Sequence, residues 1–195
     1  MHSTRPSDDE LFSRVAKMMA TRSLCDRDRV GAVIVDTQLR IVATGRNGPP
    51  AGFPHEERTC TEWCPRACRA DWITNSHGED LPAWAADPNG ALLPQADYTD
   101  CPSLHAEVNA LLSSDRSRHE SGTIYITSDP CWSCGKMIAN SGLSTVVVMS
   151  SPRKAAERSA DATYAFLESL GINVIFHEEK RQDDGREEVT GTDVA

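Results

Sequence analysis

Apolar positions along this chain follow two rhythms, one of period three to four and one of short unbroken runs. Over residues 8–23 they fall at Leu11, Phe12, Val15, Met18 and Met19, the spacing of one helix face, with Ser7 before them as N-cap and Asp8, Asp9 and Glu10 suited to the positive end of a helix dipole. The run Val30-Gly-Ala-Val-Ile-Val35 and then Ile41-Val-Ala-Thr44, with polar residues 36–40 between them, predicts two strands joined by a tight turn. Periodicity then lapses and returns as a helix over 104–114 capped by Ser103, a strand over 123–127, a helix over 131–141 and a strand over 144–149. A helix over 153–170 and a strand over 172–176 complete the pattern, with Gly142 and Gly171 placed where helices end in a left-handed residue. Strands alternating with helices predict a layered α/β domain with some parallel pairing.

Composition sharpens this picture. A chain of 195 residues, 39% apolar and 25% charged, suits a single domain over 1–177 that buries about 70% of its unfolded surface. Residues 47–102, rich in Pro, Gly, Cys and charge, form a stretch too long for a plain loop, and Trp63, Trp72 and Trp84 within it predict an ordered insertion. Residues 178–195, with seven acids, three bases and almost no large apolar side chains, predict a mobile acidic tail. The net charge of −9 argues against coating duplex nucleic acid. No apolar run approaches the roughly 18 residues of a membrane span, and the first ten residues hold no apolar signal core, so a cytoplasmic location is expected. In that compartment seven cysteines, an odd number, point to thiol chemistry or metal ligation and away from disulfides.

Two short motifs narrow the chemistry. Pro130-Cys131-Trp-Ser-Cys134 opens one predicted helix, and a Cys-x-x-Cys on a first turn puts both sulfurs on one side, where the helix dipole favours thiolate. His105-Ala-Glu107 sits near the start of another. Two thiolates and an imidazole make three ligands of a tetrahedral zinc and leave a fourth position open, the arrangement of a catalytic site. A redox Cys-x-x-Cys is the rival reading, but it leaves His105 and Glu107 unexplained. Zinc brings the pKa of its water to about 7, and Glu107, two residues from a ligand, is placed to move the proton to a substrate ring nitrogen. His-x-Glu followed by Pro-Cys-x-x-Cys is the known signature of zinc-dependent nucleobase deaminases.

With these residues in place, the chain resembles the cytidine deaminase superfamily, and within it the deoxycytidylate (dCMP) deaminase family. The likeness covers about residues 8–177. It is carried by Leu104-His-Ala-Glu-Val-Asn-Ala110 and by Asp129-Pro-Cys-Trp-Ser-Cys134 leading to Ile138-Ala-Asn-Ser-Gly142, with support from residues 30–35, Gly45-Arg-Asn-Gly48 and Pro50-Ala-Gly52. The resemblance implies a three-layer α/β/α fold around a mixed five-stranded sheet, zinc on His105, Cys131 and Cys134, and Glu107 as proton shuttle. It implies that Asn47 contacts substrate sugar or base and that backbone groups near Ala106 and Cys131 read the pyrimidine edge. The expected reaction is dCMP to dUMP with release of ammonia. Alternatives are another small cytosine compound as substrate, or a catalytically silent zinc-organised binding protein. A homo-oligomer and a deoxynucleoside triphosphate effector near residues 45–52 are further implications.

Other residues carry open alternatives. Family members have a tyrosine-containing segment after the fourth strand, where this chain reads Met149-Ser-Ser-Pro-Arg153. Cys60, Cys64 and Cys68, four apart, together with Cys101, are candidates for a second, structural zinc, with Cys25, His55 and His77 as substitutes. Cys25 is equally a small buried hydrophobe. Arg27 and Arg29 are candidates for a 5′-phosphate, or solvated charges. Trp132 is either pocket wall or core. Editing of single-stranded nucleic acid would need a basic groove with stacking aromatics, which the net charge and 6% aromatic content disfavour.

Overall fold

The computed structural model describes residues 5–25, 28–52, 103–149 and 160–177. The helix α1 (Asp8–Ala20) leads into the hairpin strands β1 (Gly31–Val35) and β2 (Ile41–Arg46). Then come α2 (Ala106–Leu112), the single turn α3 (Arg116–His119), β3 (Thr123–Ile126) and α4 (Trp132–Ser141). The strand β4 (Thr145–Val148), the helix α5 (Asp161–Ser169) and the strand β5 (Asn173–Phe176) follow. The sheet order is β2-β1-β3-β4-β5, with β1 antiparallel to both neighbours and β3, β4 and β5 mutually parallel. The expected mixed five-stranded sheet is therefore observed.

Alternation along the strands builds two cores. Ala32, Ile34, Ile124, Ile126, Val146 and Val148 face Ala106, Ala110, Ile138, Tyr164 and Leu167 from α2, α4 and α5. Val33, Val35, Tyr125 and Val147 face Phe12 and Ala16 of α1 on the other side. The interior strand β1 is buried at every position, which is why it reads as a continuous apolar run with no alternation. Helices thus cover both faces, giving three layers.

Some boundaries differ from expectation. The helix α1 ends at Ala20 and presents Phe12, Ser13, Ala16 and Ala20 to the sheet, while Leu11 and Met18 lie exposed. Small residues win that face because Gly31 brings strand and helix backbones together: a Cβ at position 31 would lie 2.0 Å from the Ala16 carbonyl oxygen. Ser103 is not a helix cap, since α2 starts two residues later with His105 as its N-cap. The turn α3 was not foreseen; it is capped by Asp115, whose carboxylate accepts from the Ser117 N–H at 2.9 Å. Gly142 ends α4 at φ 92°, as the sequence predicts. Residues 153–159 of the last expected helix, most of 47–102 and all of 178–195 lie outside the described residues.

Candidate metal centre and active site

Two connections deliver the site. Leu104 pairs with Gly48 through reciprocal backbone hydrogen bonds of 3.1 and 2.9 Å, and the next residue is His105. The other connection leaves β3 and reaches Cys131. Both His105 (φ −72°, ψ 156°) and Cys131 (φ −70°, ψ 166°) are extended N-cap residues, so each chain turns sharply from loop into helix at a donor side chain. The His105 imidazole makes no capping bond to its own helix. Its Nδ1 lies 3.5 Å from Cys131 Sγ and 3.4 Å from Cys134 Sγ. The Cys134 N–H donates to Cys131 Sγ at 3.5 Å, holding that sulfur over the first turn of α4.

This spacing fits zinc. With Zn–S near 2.3 Å and Zn–N near 2.0–2.1 Å, a tetrahedral angle sets N and S about 3.5 Å apart. The three donor atoms lie within 4.8 Å of one another, and among the described residues this is the group of His, Cys, Asp and Glu side chains able to hold a metal ion. The donor set of one imidazole and two thiols is that of an open catalytic zinc site. Bonds from the Cys134 thiol, His105 and the Cys134 N–H pull the Cys131 thiol down to about 4. Cys134 is pushed up by its bond to that sulfur and by burial.

Glu107 is 3% exposed on the first turn of α2. Burial raises its pKa above the ordinary carboxylate range, while its own backbone N–H, the His105 charge and the Cys134 thiol act in the opposite direction. Of the other expected contacts, Ala106 is fully buried as the first residue of α2, where N–H groups have no intrahelical acceptor. Asn47 lies near the end of β2, but its side chain is much occupied. Its Oδ1 accepts from the Val30 N–H at 2.8 Å and from the Ser23 hydroxyl at 2.5 Å, and its Nδ2 donates to the Asp28 carbonyl at 2.7 Å.

Arg29 is exposed, and Arg27 lies outside the described residues. So do Cys60, Cys64, Cys68, Cys101, His55 and His77, the candidates for a second zinc. Cys25 is half-buried and lies outside the three-residue cluster. Trp132 is not core: it is 48% exposed and packs against Phe166 with ring centroids 5.0 Å apart.

Sequence reading missed two supports of the site. Asn109 of α2 donates from Nδ2 to the Arg46 carbonyl at 2.8 Å, tying the helix that carries Glu107 to the end of β2. Tyr164 of α5 donates to Asp129, two residues before Cys131. Neither bond has a local signature, since the partners are 63 and 35 residues apart.

The cytidine and deoxycytidylate deaminase zinc-binding region matches residues 6–150 of the chain. A deoxycytidylate deaminase of Mycobacterium phage D29 is 37% identical over 148 residues, which is 74% of this chain and 95% of the phage protein. One from Saccharomyces cerevisiae is 34% identical over 171 residues, 87% of this chain but 45% of the yeast protein. The dCMP deaminase of cyanophage S-TIM5, crystallised with dCMP and dUMP, shares the fold at a TM-score of 0.55 and 24% identity, covering 90% of this chain and 100% of that one.

Proposed function

Because the chain belongs to the cytidine and deoxycytidylate deaminase zinc-binding family, we infer that it is a zinc-dependent deoxycytidylate deaminase, turning dCMP and water into dUMP and ammonia. The observation that carries this reading is the convergence of His105, Cys131 and Cys134 beside a buried carboxylate that is not one of the three donors. A silent structural site has no use for that carboxylate.

Zinc held by those three residues would supply Lewis acidity and a water whose pKa is near 7. The chain's own contribution is proton traffic and orientation. A C4–O bond forms to water and the C4–N bond breaks. Glu107 takes a proton from the attacking water and gives it to ring N3, then takes the remaining proton from the new C4 hydroxyl and gives it to the departing amino group, so that ammonia leaves as the C4 carbonyl forms. A raised pKa suits this task, since the group must hold a proton as readily as it releases one. Burial of Glu107 also keeps bulk water from competing for that proton. The first N–H groups of α2, which begins at Ala106, are suited to donate to the pyrimidine edge, and Arg29 to meet the 5′-phosphate.

Steady-state turnover of dCMP, CMP, deoxycytidine and cytosine, run alongside metal analysis, tests the reading. The expected result is zinc in the preparation and kcat/KM highest for dCMP. Turnover of deoxycytidine as fast as dCMP would shift the assignment to another small cytosine compound. Family membership also supports a cytoplasmic homo-oligomer, a triphosphate effector near residues 45–52 and a structural zinc on Cys60, Cys64, Cys68 and Cys101. Light scattering, effector titration and a count of zinc per chain test these in turn.

A further inference from the structure

The helix α5 carries none of the three donors, yet it grips the metal-bearing turn on both sides of Cys131. Ahead of that cysteine, the Tyr164 hydroxyl donates to Asp129 Oδ1 at 2.7 Å. Just after it, Phe166 packs on Trp132 at 5.0 Å. One turn further on, Thr163 lies so close to Gly135 that a Cβ there would sit 2.5 Å from its Cγ2. Tyr164 is itself fixed: it is 5% exposed and meets Phe176 of β5 edge-on, centroids 5.1 Å apart and planes at 72°.

The segment being gripped has little regular structure of its own. After β3, the Thr127 hydroxyl accepts from the Gly31 N–H at 3.0 Å and the Thr127 N–H donates to the Gly31 carbonyl at 3.1 Å. From there the chain must pass Ser128, Asp129 and Pro130 before Cys131 takes its extended N-cap conformation. The place of Cys131 Sγ relative to His105 therefore depends on how residues 128–130 are held. A phenol donating to a carboxylate is a short, charge-assisted bond well suited to that role.

We propose that Tyr164 is a positioning residue for the metal centre: through Asp129 it fixes the turn that aims Cys131 at His105, and so sets how tightly the chain holds zinc. This rests on the zinc deaminase reading above. Removing a group hydrogen-bonded to a metal ligand typically changes metal affinity by about 10–100-fold, and Tyr164 acts one step further out, so the low end of that range is expected.

The structure supplies its own control. Tyr125, 3% exposed, also donates its hydroxyl to an aspartate, Asp9 Oδ1, at 2.9 Å, but on the α1 face of the sheet. Tyr164→Phe and Tyr125→Phe remove the same group from similar surroundings, so a merely structural role predicts equal effects. The experiment loads wild type, Y164F and Y125F with zinc. It follows transfer of the metal to a competing chromophoric chelator, together with thermal unfolding and the separate kcat and KM for dCMP.

Expected are zinc affinity lower by about tenfold or more in Y164F alone, a fall in kcat with KM little changed, and similar unfolding temperatures for the two variants. Asp129→Asn, which keeps an oxygen acceptor, should stay near wild type. Asp129→Ala should match Y164F, and the double variant should be no worse than either. Should Y164F fail to fold, D129A breaks the same bond from the acceptor side and carries the same expectation. Equal zinc retention in Y164F and Y125F, or fully additive losses in the double variant, would overturn the proposal. A wild-type protein that takes up no zinc would instead overturn the metal reading on which it stands.

Discussion

At the scale of single residues, the sharpest contrast is between Glu107 and the side chains around it. A carboxylate 3% exposed is costly to bury, and nothing in the packing of α2 requires it, since Ala106 and Ala110 fill the core beside it. Such a group is a burden on stability, which the proton transfer proposed for it would explain. Glu107→Gln keeps the shape and removes the titrating proton. It should retain zinc, lower ammonia release by about 10²–10⁴-fold, and leave the unfolding temperature equal or higher. Turnover near the wild-type level would remove Glu107 from the mechanism. The sequence singled out His105, Cys131 and Cys134, which the structure brings together, and the buried Glu107, because each belongs to a short spacing at a helix start. Asn109 and Tyr164 were not, because a hydrogen bond across 63 or 35 residues leaves no local trace.

Between elements, the same logic turns on two glycines. The helix α2 lies against β2 so closely that a Cβ on Gly45 would stand 2.0 Å from the Ala106 carbonyl oxygen and 2.5 Å from the Ala110 N, both backbone atoms that cannot rotate away. Gly31 stands in the same relation to Ala16 and Ala20 of α1. Gly45→Ala and Gly31→Ala should each destabilise by about 1–3 kcal/mol through overpacking, read as a lower urea midpoint. Only G45A displaces the helix that carries His105 and Glu107, so only G45A should also weaken zinc retention; equal zinc loss in both would show that the site merely follows global stability. The close approach at Gly31 also explains why Ala16 and Ala20 join Phe12 on the buried face of α1, with Val15 and Met19 packed beside them, while Leu11 and Met18 stay exposed. Periodicity marks where apolar residues are, not that a glycine opposite will draw the smallest ones inward.

The hairpin turn gives a pH-dependent case. Asp36 Oδ1 accepts the backbone N–H groups of Gln38 and Arg40, each at 2.9 Å, and Oδ2 accepts from Arg40 Nε at 2.8 Å. The Arg40 backbone bond, and the Arg40 side chain and Gln38 with it, hold its carboxyl below the ordinary range. A folded-state pKa below the unfolded value of about 3.9 means that the stabilisation is complete above that value and disappears as pH falls through the folded one. Asp36→Asn should therefore unfold earlier than wild type at pH 7 and converge with it in acid. A difference that persists unchanged in acid would assign the effect to the turn's shape instead of its charge.

Across the whole molecule, the sheet converts sequence distance into coordination. His105 and Cys131, 26 residues apart, meet because β3 intervenes between two helices on one face, and their N-termini open toward each other. That much of the architecture followed from alternating strands and helices; the antiparallel pairing of β1 with β3 did not, because registry between distant strands is set by packing and not by local pattern. A metal that joins two such helix starts binds the folded chain far better than the unfolded one, so it must add to stability. At a free zinc concentration about 100 times Kd the gain is about 2.7 kcal/mol. For a chain of this size that is an unfolding temperature higher by about 5–10 °C. Exhaustive chelation should therefore lower the unfolding temperature by that much and abolish deamination together, with both restored by zinc and neither by magnesium, whose preference for six oxygen ligands suits neither the sulfurs nor the geometry. Activity that outlasts complete metal removal would mean that the meeting of these two helix starts serves the fold alone.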